Sequence, residues 1–265
     1  MRIGLLADPH LISPDDPNEG RRDERRQFVE GWPSFVAVVE ALNERAVDQV
    51  IILGDLIDYY SPENVRFALD LLEDLDMPWA LTPGNHDVQR VRANDDGISL
   101  TVDRAGMKPK WTEAGVNLDN RTLDFDGLRC ILLDSADSSL PSGSTRWLRD
   151  ALDTDRTCVL CTHVPIDVPP VVEAIHAVDS NRDLNKYVQR GAPDLYEEVL
   201  YGSVSMVCSG HLHFPACATV GGLTQHIMPR CTRAVGSSSP REGTITILGT
   251  EDPTELSQFR TDPIE

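Results

Sequence analysis

Six short apolar runs punctuate the chain, and each stops at a polar residue: residues 3–7 before Asp8, 50–53 before Gly54 and Asp55, and 79–81 before Gly84, Asn85 and His86. The series continues with 130–133 before Asp134, 158–161 ahead of His163, and 204–208 ahead of Gly210 and His211. Runs this short, rich in Ile, Val and Leu and polar on neither face, are the pattern of strands buried on both sides. Helices must then cover them. Phe28, Trp32, Phe35, Val39, Leu42 and Ala46 recur at helical spacing, as do Val65, Leu69, Leu72 and Leu75. Ser61 can cap the second of these helices, and Pro62 suits its first position, where a missing N–H costs nothing. A third helix is expected after Ser144 with Leu148, Ala151 and Leu152 inward, and Gly243–Gly249 alternates like a half-buried strand. The expectation is an α/β chain of 265 residues, read as one domain. Open α/β sheets gather their ligands at the carboxyl ends of strands, where these polar residues fall.

Composition narrows the partners. The formal charge is −19, with 43 acidic against 24 basic residues, which disfavours a nucleic-acid backbone or an anionic membrane as partner. Aspartate outnumbers glutamate 28 to 15, and lysine occurs only at Lys108, Lys110 and Lys186. That bias reads as a whole-surface, halophilic adaptation to high salt, with an ordinary acidic protein as the alternative. No apolar run approaches the ~18 residues of a membrane span, and the start lacks the regions of a signal peptide, so a cytoplasmic protein is expected. The six cysteines are scattered, mostly within apolar runs, as reduced buried thiols are. Cys158 and Cys161 form a C-x-x-C, but in a strand positions three apart face opposite ways, which argues against a redox or zinc pair. Oligomeric state is not legible in these patterns.

Five polar signals occur in order: Asp8-Pro9-His10, Gly54-Asp55, Gly84-Asn85-His86-Asp87, His163, and Gly210-His211-Leu212-His213. A D-x-H or a G-D arises by chance about once or twice in such a chain, whereas G-N-H and G-H-x-H arise only on the order of 0.01 to 0.02 times. Five of the seven histidines lie in these motifs, leaving His176 and His226 outside. Strand-end histidines joined by two carboxylates and an amide read as a metal site. In an extended segment Asp8 and His10 point the same way and reach one ion. His211 and His213 are placed similarly, but a turn at the strand end can send one to each ion. Asp55 has two oxygens and can bridge two ions at the ~3.5 to 4 Å separation used for in-line displacement at phosphorus. A bridging hydroxide would then be the nucleophile. Such mixed donors suit manganese, or else iron, zinc, cobalt or nickel, better than magnesium.

These motifs, spanning Asp8 to His213, resemble those of the calcineurin-like metallophosphoesterase superfamily. The resemblance implies a two-sheet β-sandwich flanked by helices and a small phosphorylated substrate. It also implies one ion held by Asp8, His10, Asp55 and His213, and a second held by Asp55, Asn85, His163 and His211. His86 would stabilise charge on the phosphoryl group or protonate the leaving oxygen. Asp87 would orient His86, or else be a solvent-facing turn residue.

Departures narrow the branch. Purple acid phosphatases carry a tyrosine ligand three positions after the bridging aspartate, where Asp58 stands here and Tyr59 comes one later. Protein Ser/Thr phosphatases have Asp-Arg-Gly where this chain has Asp58-Tyr59-Tyr60. The stretches Leu132-Leu133-Asp134-Ser135, Thr145-Arg146-Trp147-Leu148 and Thr162-His163-Val164-Pro165 resemble the cyclic-nucleotide and glycerophosphodiester phosphodiesterases. A small phosphodiester or cyclic nucleotide is therefore the expected substrate. A phosphomonoesterase, a repair nuclease needing a basic groove, and a non-catalytic metal-binding scaffold are the alternatives. Segments 88–118 and 164–203 leave directly from ligand loops and hold all three lysines together with Arg90, Arg92, Arg182 and Arg190. They are candidate substrate-selecting walls, against the reading that these are solvated surface charges.

Overall fold

The computed structural model describes residues 1–94, 97–190, 192–233, 239–249 and 258–264. In chain order its strands are β1 (Arg2–Leu6), β2 (Gln49–Ile52), β3 (Trp79–Leu81), β4 (Gln89–Asn94), β5 (Gly97–Val102), β6 (Arg121–Asp124) and β7 (Leu128–Leu133). They continue with β8 (Thr157–Thr162), β9 (Met206–Ser209), β10 (Ala216–Val220), β11 (Leu223–Ile227), β12 (Gly243–Gly249) and β13 (Gln258–Ile264). One sheet has the order β13-β12-β1-β2-β3 and the other β10-β11-β9-β8-β7-β6, while β4 and β5 form a separate hairpin. β1, β2 and β3 run parallel, as do β7, β8, β9 and β11. Antiparallel strands close the flanks: β12 and β13 on the first sheet, β6 and β10 on the second.

The strand alternation explains the layering. Ile3, Leu5, Ile51 and Leu53 of the first sheet share a core with Cys130, Leu132, Val159 and Cys208 of the second, so the sheets stack face to face. Val50 and Ile52 turn the other way, onto Phe35, Val38, Leu42 and Val65 of the covering helices. On the second sheet Ile131, Leu133, Leu160 and Val207 turn outward onto Leu148, Val171 and Ile175. The result is the expected two-sheet sandwich flanked by helices. Cys158 belongs to the outer layer and Cys161 to the inner one, so they do not form a pair. Each buried Leu or Ile contributes on the order of 1.5–3 kcal/mol, which is what holds the strand ends in place.

Most expected elements appear at their places. Ser61 caps the helix Pro62–Leu72 by accepting from Asn64 N at 3.0 Å, and a helix covers Ser144–Leu152. One expectation changes. The periodic run from Phe28 to Ala46 is broken at Gly31, so short helices at Glu19–Glu24 and Arg26–Val29 precede a longer one at Trp32–Glu44. The break leaves Trp32 38 % exposed and frees Phe28 to stack on His10, with ring centroids 4.7 Å apart. The β4–β5 hairpin and β10 were not legible as strands; β10 mixes Ala, Cys and Thr, is only half-buried at an edge, and offers no apolar run. No helix among the described residues is long and apolar enough to cross a membrane.

Candidate metal centre

The sandwich brings the expected residues to one edge. Asp8 and His10 follow β1, Asp55 follows β2, Asn85 and His86 follow β3, His163 follows β8, and His211 and His213 follow β9. Short backbone bonds lace these loops together: Asp8 N donates to Gly54 O at 3.2 Å, His10 N to Asp55 O at 2.8 Å, and Gly210 N to His163 O at 3.0 Å.

Asp8 and His10 do not lie on an extended segment. Their φ angles are 53° and 50°, and Asp55, His211 and His213 are left-handed as well, at 53°, 74° and 63°. These five are all but two of the non-glycine residues with positive φ among the described residues. Each such conformation costs roughly 1–3 kcal/mol and persists where the surroundings over-determine it. Glycines make the close approach possible. A Cβ on Gly84 would stand 2.1 Å from Asp55 Oδ1, and one on Gly54 would stand 2.4 Å from His163 Nδ1.

Hydrogen bonds fix which nitrogen of each ring faces inward. His163 Nδ1 lies 2.8 Å from Leu53 O and His211 Nε2 lies 3.0 Å from Lys186 O. A carbonyl only accepts, so those nitrogens carry the protons and the opposite ones present lone pairs. His10 Nδ1 faces Asp58 Oδ1 at 3.1 Å, which fixes that ring in the same way. The lone-pair nitrogens of His163 and His211 then converge, Nε2 on Nδ1 at 3.0 Å, and that of His10 meets His213 Nε2 at 2.9 Å. Asn85 Oδ1 lies 3.1 Å from His163 Nε2. Asp55 Oδ2 stands 3.4 Å from His10 Nε2 and 3.3 Å from His163 Nε2, between the two groups.

This donor set fits metal ions. Ligands ~2.1 Å from a shared ion stand about 3.0 Å apart at right angles and about 3.4 Å apart at tetrahedral angles, the range observed here. Among the described residues three overlapping groups are spaced as ligands of an ion would be: Asp8, His10 and His213; His10, Asp55 and His86; and Asp55, His163 and His211. The electrostatics agree. Burial pushes His163 down, but the charges of Asp55 and then Asp8 outweigh it and raise its pKa to about 9, so the carboxylates favour a positive charge at Nε2, which a metal ion can supply in place of the second proton. Burial, with His163 adding to it, holds His211 down at about 3, leaving a neutral imidazole fit to ligate.

His86 and Asp87 are placed differently from expectation. His86 Nδ1 lies 2.6 Å from Asp58 O and 3.6 Å from Asp58 Oδ1, so Asp58, not Asp87, orients this ring. Asp87 is fully buried; its carboxylate accepts from Asp55 N and Gly84 N at 2.8 Å each and from Ile57 N at 3.2 Å. It is neither a partner of His86 nor a solvent-facing turn residue. Its work is to tie the Asp55 loop to the Gly84 loop. Asp58 is the residue that sequence reasoning missed. It is buried, it meets His10 and His86, and the Arg25 guanidinium donates to it at 2.5 Å. Although burial raises a carboxyl pKa, His10, His86 and Arg25 hold Asp58 well below the usual carboxylate range. The signal was present as an aspartate three positions past Asp55, at a strand end too apolar to bury a lone charge.

The centre opens into a cavity of about 550 Å³. His10, Asp55, Asn85, His86, His211 and His213 form its floor, while Arg182, Asn185, Lys186, Tyr187 and Arg190 rise on one side. Segment 164–203 therefore borders the centre, whereas segment 88–118 reaches it only at Val102 among the described lining residues.

Comparison with known proteins bears on the family and the fold. A "probable cyclic nucleotide phosphodiesterase" of Fibrobacter succinogenes is 26% identical over 166 residues, covering 62% of this chain and 57% of that protein. The chain thus spans little more than half of that relative's length. A "3',5'-cyclic-nucleotide phosphodiesterase" of Nostoc sp. is 22% identical over 216 residues, covering 80% of this chain and 71% of that one. In fold, the chain is similar to a dimetal phosphatase from Danio rerio, with a TM-score of 0.59 and 14% identity over 94% of this chain and 92% of that one. The calcineurin-like phosphoesterase family model matches residues 1–215, and the chain belongs to that family.

Proposed function

We propose that this chain hydrolyses a small phosphodiester at two transition-metal ions, with manganese the preferred metal. Asp8, His10, Asp55 and His213 would hold one ion, and Asp55, Asn85, His163 and His211 the other. The observation that carries this reading is Asp55 Oδ2, placed 3.4 Å from His10 Nε2 and 3.3 Å from His163 Nε2, so that one oxygen serves both groups. When bound, such ions supply Lewis-acid polarisation of the phosphoryl oxygens and ionise a nucleophilic water near neutral pH.

The chain's own residues do the rest. The sandwich fixes the donors at the ends of its strands. His86 lines the cavity with its Nδ1 held by Asp58, leaving Nε2 to hold or donate a proton at the leaving-group oxygen. Two relatives named as cyclic-nucleotide phosphodiesterases favour a diester over a monoester. The test is a panel of bis(p-nitrophenyl) phosphate, p-nitrophenyl phosphate and cyclic nucleotides with the manganese-loaded protein. A higher kcat/KM for the diesters supports the proposal. An equal or higher value for the monoester overturns the diester assignment, and no turnover with metal bound overturns the catalytic one.

A further inference from the structure

A second cavity, of about 290 Å³, lies against the His213 side of the centre, and His213 lines both. Its wall comes from residues that follow β11. Met228 N donates to Ser209 O at 2.7 Å and Cys231 N to Ala7 O at 2.8 Å, so this segment crosses from one sheet to the other at the ligand edge. The crossing inserts Arg230. Arg230 is only 8% exposed, yet among the described residues no carboxylate lies within ion-pairing distance of its guanidinium. Among the described residues its one side-chain hydrogen bond is a long 3.4 Å contact from Nε to Thr232 O, and the guanidinium carbon sits 5.1 Å from the centre of the Phe28 ring.

A buried charge without a counter-ion is unfavourable in any chain. Here 43 acidic residues were available, and one of them, Glu30, already pairs with neighbouring Arg233 at 3.3 Å. Glu242 also lines the cavity. Asp8 is near enough for its charge to act on Arg230, but metal ions bound at Asp8 would cancel that attraction. The guanidinium lines the cavity, and a fork of N–H donors is the geometry that matches a phosphoryl group.

We propose that this cavity is a subsite for a second phosphoryl group, gripped by Arg230 while the scissile phosphorus lies at the metal centre beside His213. The preferred diester would then carry a further phosphate. That last step rests on the hydrolase reading, whereas phosphate capture by Arg230 does not.

Two measurements on the full chain separate these parts. Calorimetric titration of the manganese-loaded protein with inorganic phosphate should show a second phosphate site beside the metal-bound one, and Arg230→Gln should weaken that second site by about tenfold or more, with no change in the remote Arg149→Gln. Unchanged affinity of the second site in Arg230→Gln, or no second site in the parent chain, overturns the subsite. With the manganese-loaded enzyme, compare a nitrophenyl diester of thymidine 5′-phosphate with and without a 3′-phosphate. The ratio of their kcat/KM values should fall about tenfold in Arg230→Gln, and an unchanged ratio overturns the substrate assignment. If neither ester turns over, the hydrolase reading fails and the phosphate titration still decides the subsite. Should Arg230→Gln not fold, Arg230→Lys keeps the charge but loses the fork; at least a threefold weakening is expected, and parental affinity overturns the proposal.

Discussion

His10 and His213 point their Nε2 atoms at one another across 2.9 Å, although Asp58 claims the proton on the other nitrogen of His10. The lone pair of the buried His10 therefore meets an imidazole nitrogen of His213, whose side chain is 36% exposed, a contact that a cation between the rings would make favourable. Removing metal should cost global stability. A ligand present at a hundred times its dissociation constant stabilises by about 2.7 kcal/mol, and for a chain of this size each kcal/mol moves Tm by roughly 2–4 °C. Chelation is expected to lower Tm by at least about 5 °C, with recovery on return of manganese. A melting curve indifferent to chelator would remove the metals from the proposal.

Asp55 is placed to serve both groups, so its loss should act on both at once. Asp55→Asn is expected to lower turnover by orders of magnitude and to reduce the bound metal count, read by elemental analysis. Gly84→Ala should mimic it without touching a donor, because its Cβ would meet Asp55 Oδ1 at 2.1 Å. A Gly84→Ala enzyme with a full complement of metal would show that the Asp55 loop has more room than its contacts indicate.

The roles of Asp58 and Asp87 can be told apart by what each variant leaves intact. His86→Ala should keep metal while losing rate by the ~10² to 10⁴ typical of a general acid, with a smaller loss for esters with good leaving groups. Asp58→Asn keeps the backbone carbonyl that holds His86 Nδ1 and removes the charge facing His10 and Arg25, so it should lower metal retention through His10 while leaving the leaving-group dependence near that of the parent. Asp87→Ala instead strips acceptors from the amides of Asp55, Ile57 and Gly84 and should lower Tm sharply, by roughly 3–5 kcal/mol of stability. If Asp87→Ala changed leaving-group dependence with no change in Tm, it would belong with His86 after all.

Most of the centre was legible because each donor ends an apolar run: a buried strand is visible in sequence, and so is the polar residue that stops it. The local geometry was less visible. Nothing in Asp8-Pro9-His10 announces two left-handed residues, since those conformations are imposed by contacts to Gly54 and Asp55 from another strand. Asp58 was missed, and Asp87 was assigned to His86, for the same reason. Their carboxylates act on groups up to 48 positions away in the chain, as Asp58 does on His10, and no spacing rule encodes such a reach. The helix expected through Phe28 failed where Gly31 interrupts it, because periodicity records a buried face and not a break in the backbone.

The halophilic reading makes a separate prediction. At a formal charge of −19, carboxylate repulsion opposes the compact state until counter-ions screen it. The screening length falls from about 10 Å at 0.1 M salt to about 3 Å at 1 M, so Tm should climb from dilute to molar potassium chloride. A flat or falling curve would return the acidity to an ordinary acidic protein.

Substrate selection should lie in segment 164–203 more than in 88–118, because their cations are committed differently. In the earlier segment Lys108 sits 3.0 Å from Asp134 and 3.2 Å from Asp119, and Lys110 lies 4.9 Å from the centre of the Tyr60 ring. The side chain of Arg92 falls outside the described residues. In the later segment Arg182 stacks over Tyr187 at 4.6 Å and Phe214 at 5.3 Å, and it borders the cavity although Asp179 lies 3.0 Å away. Lys186 is more weakly held, with a side chain 77% exposed and 3.6 Å from Asp183. Its backbone carbonyl, however, holds His211, so this wall and the centre are joined. Arg182→Ala is therefore expected to raise KM for a nucleotide-sized diester by about three- to tenfold while changing a small activated ester less, since remote contacts hold only the larger molecule. Lys186→Ala should do the same more weakly, within the ~0.2–1 kcal/mol of an exposed charge. Equal changes for both substrates would mean that these cations steer by charge alone, and no change for either would return them to the solvated surface.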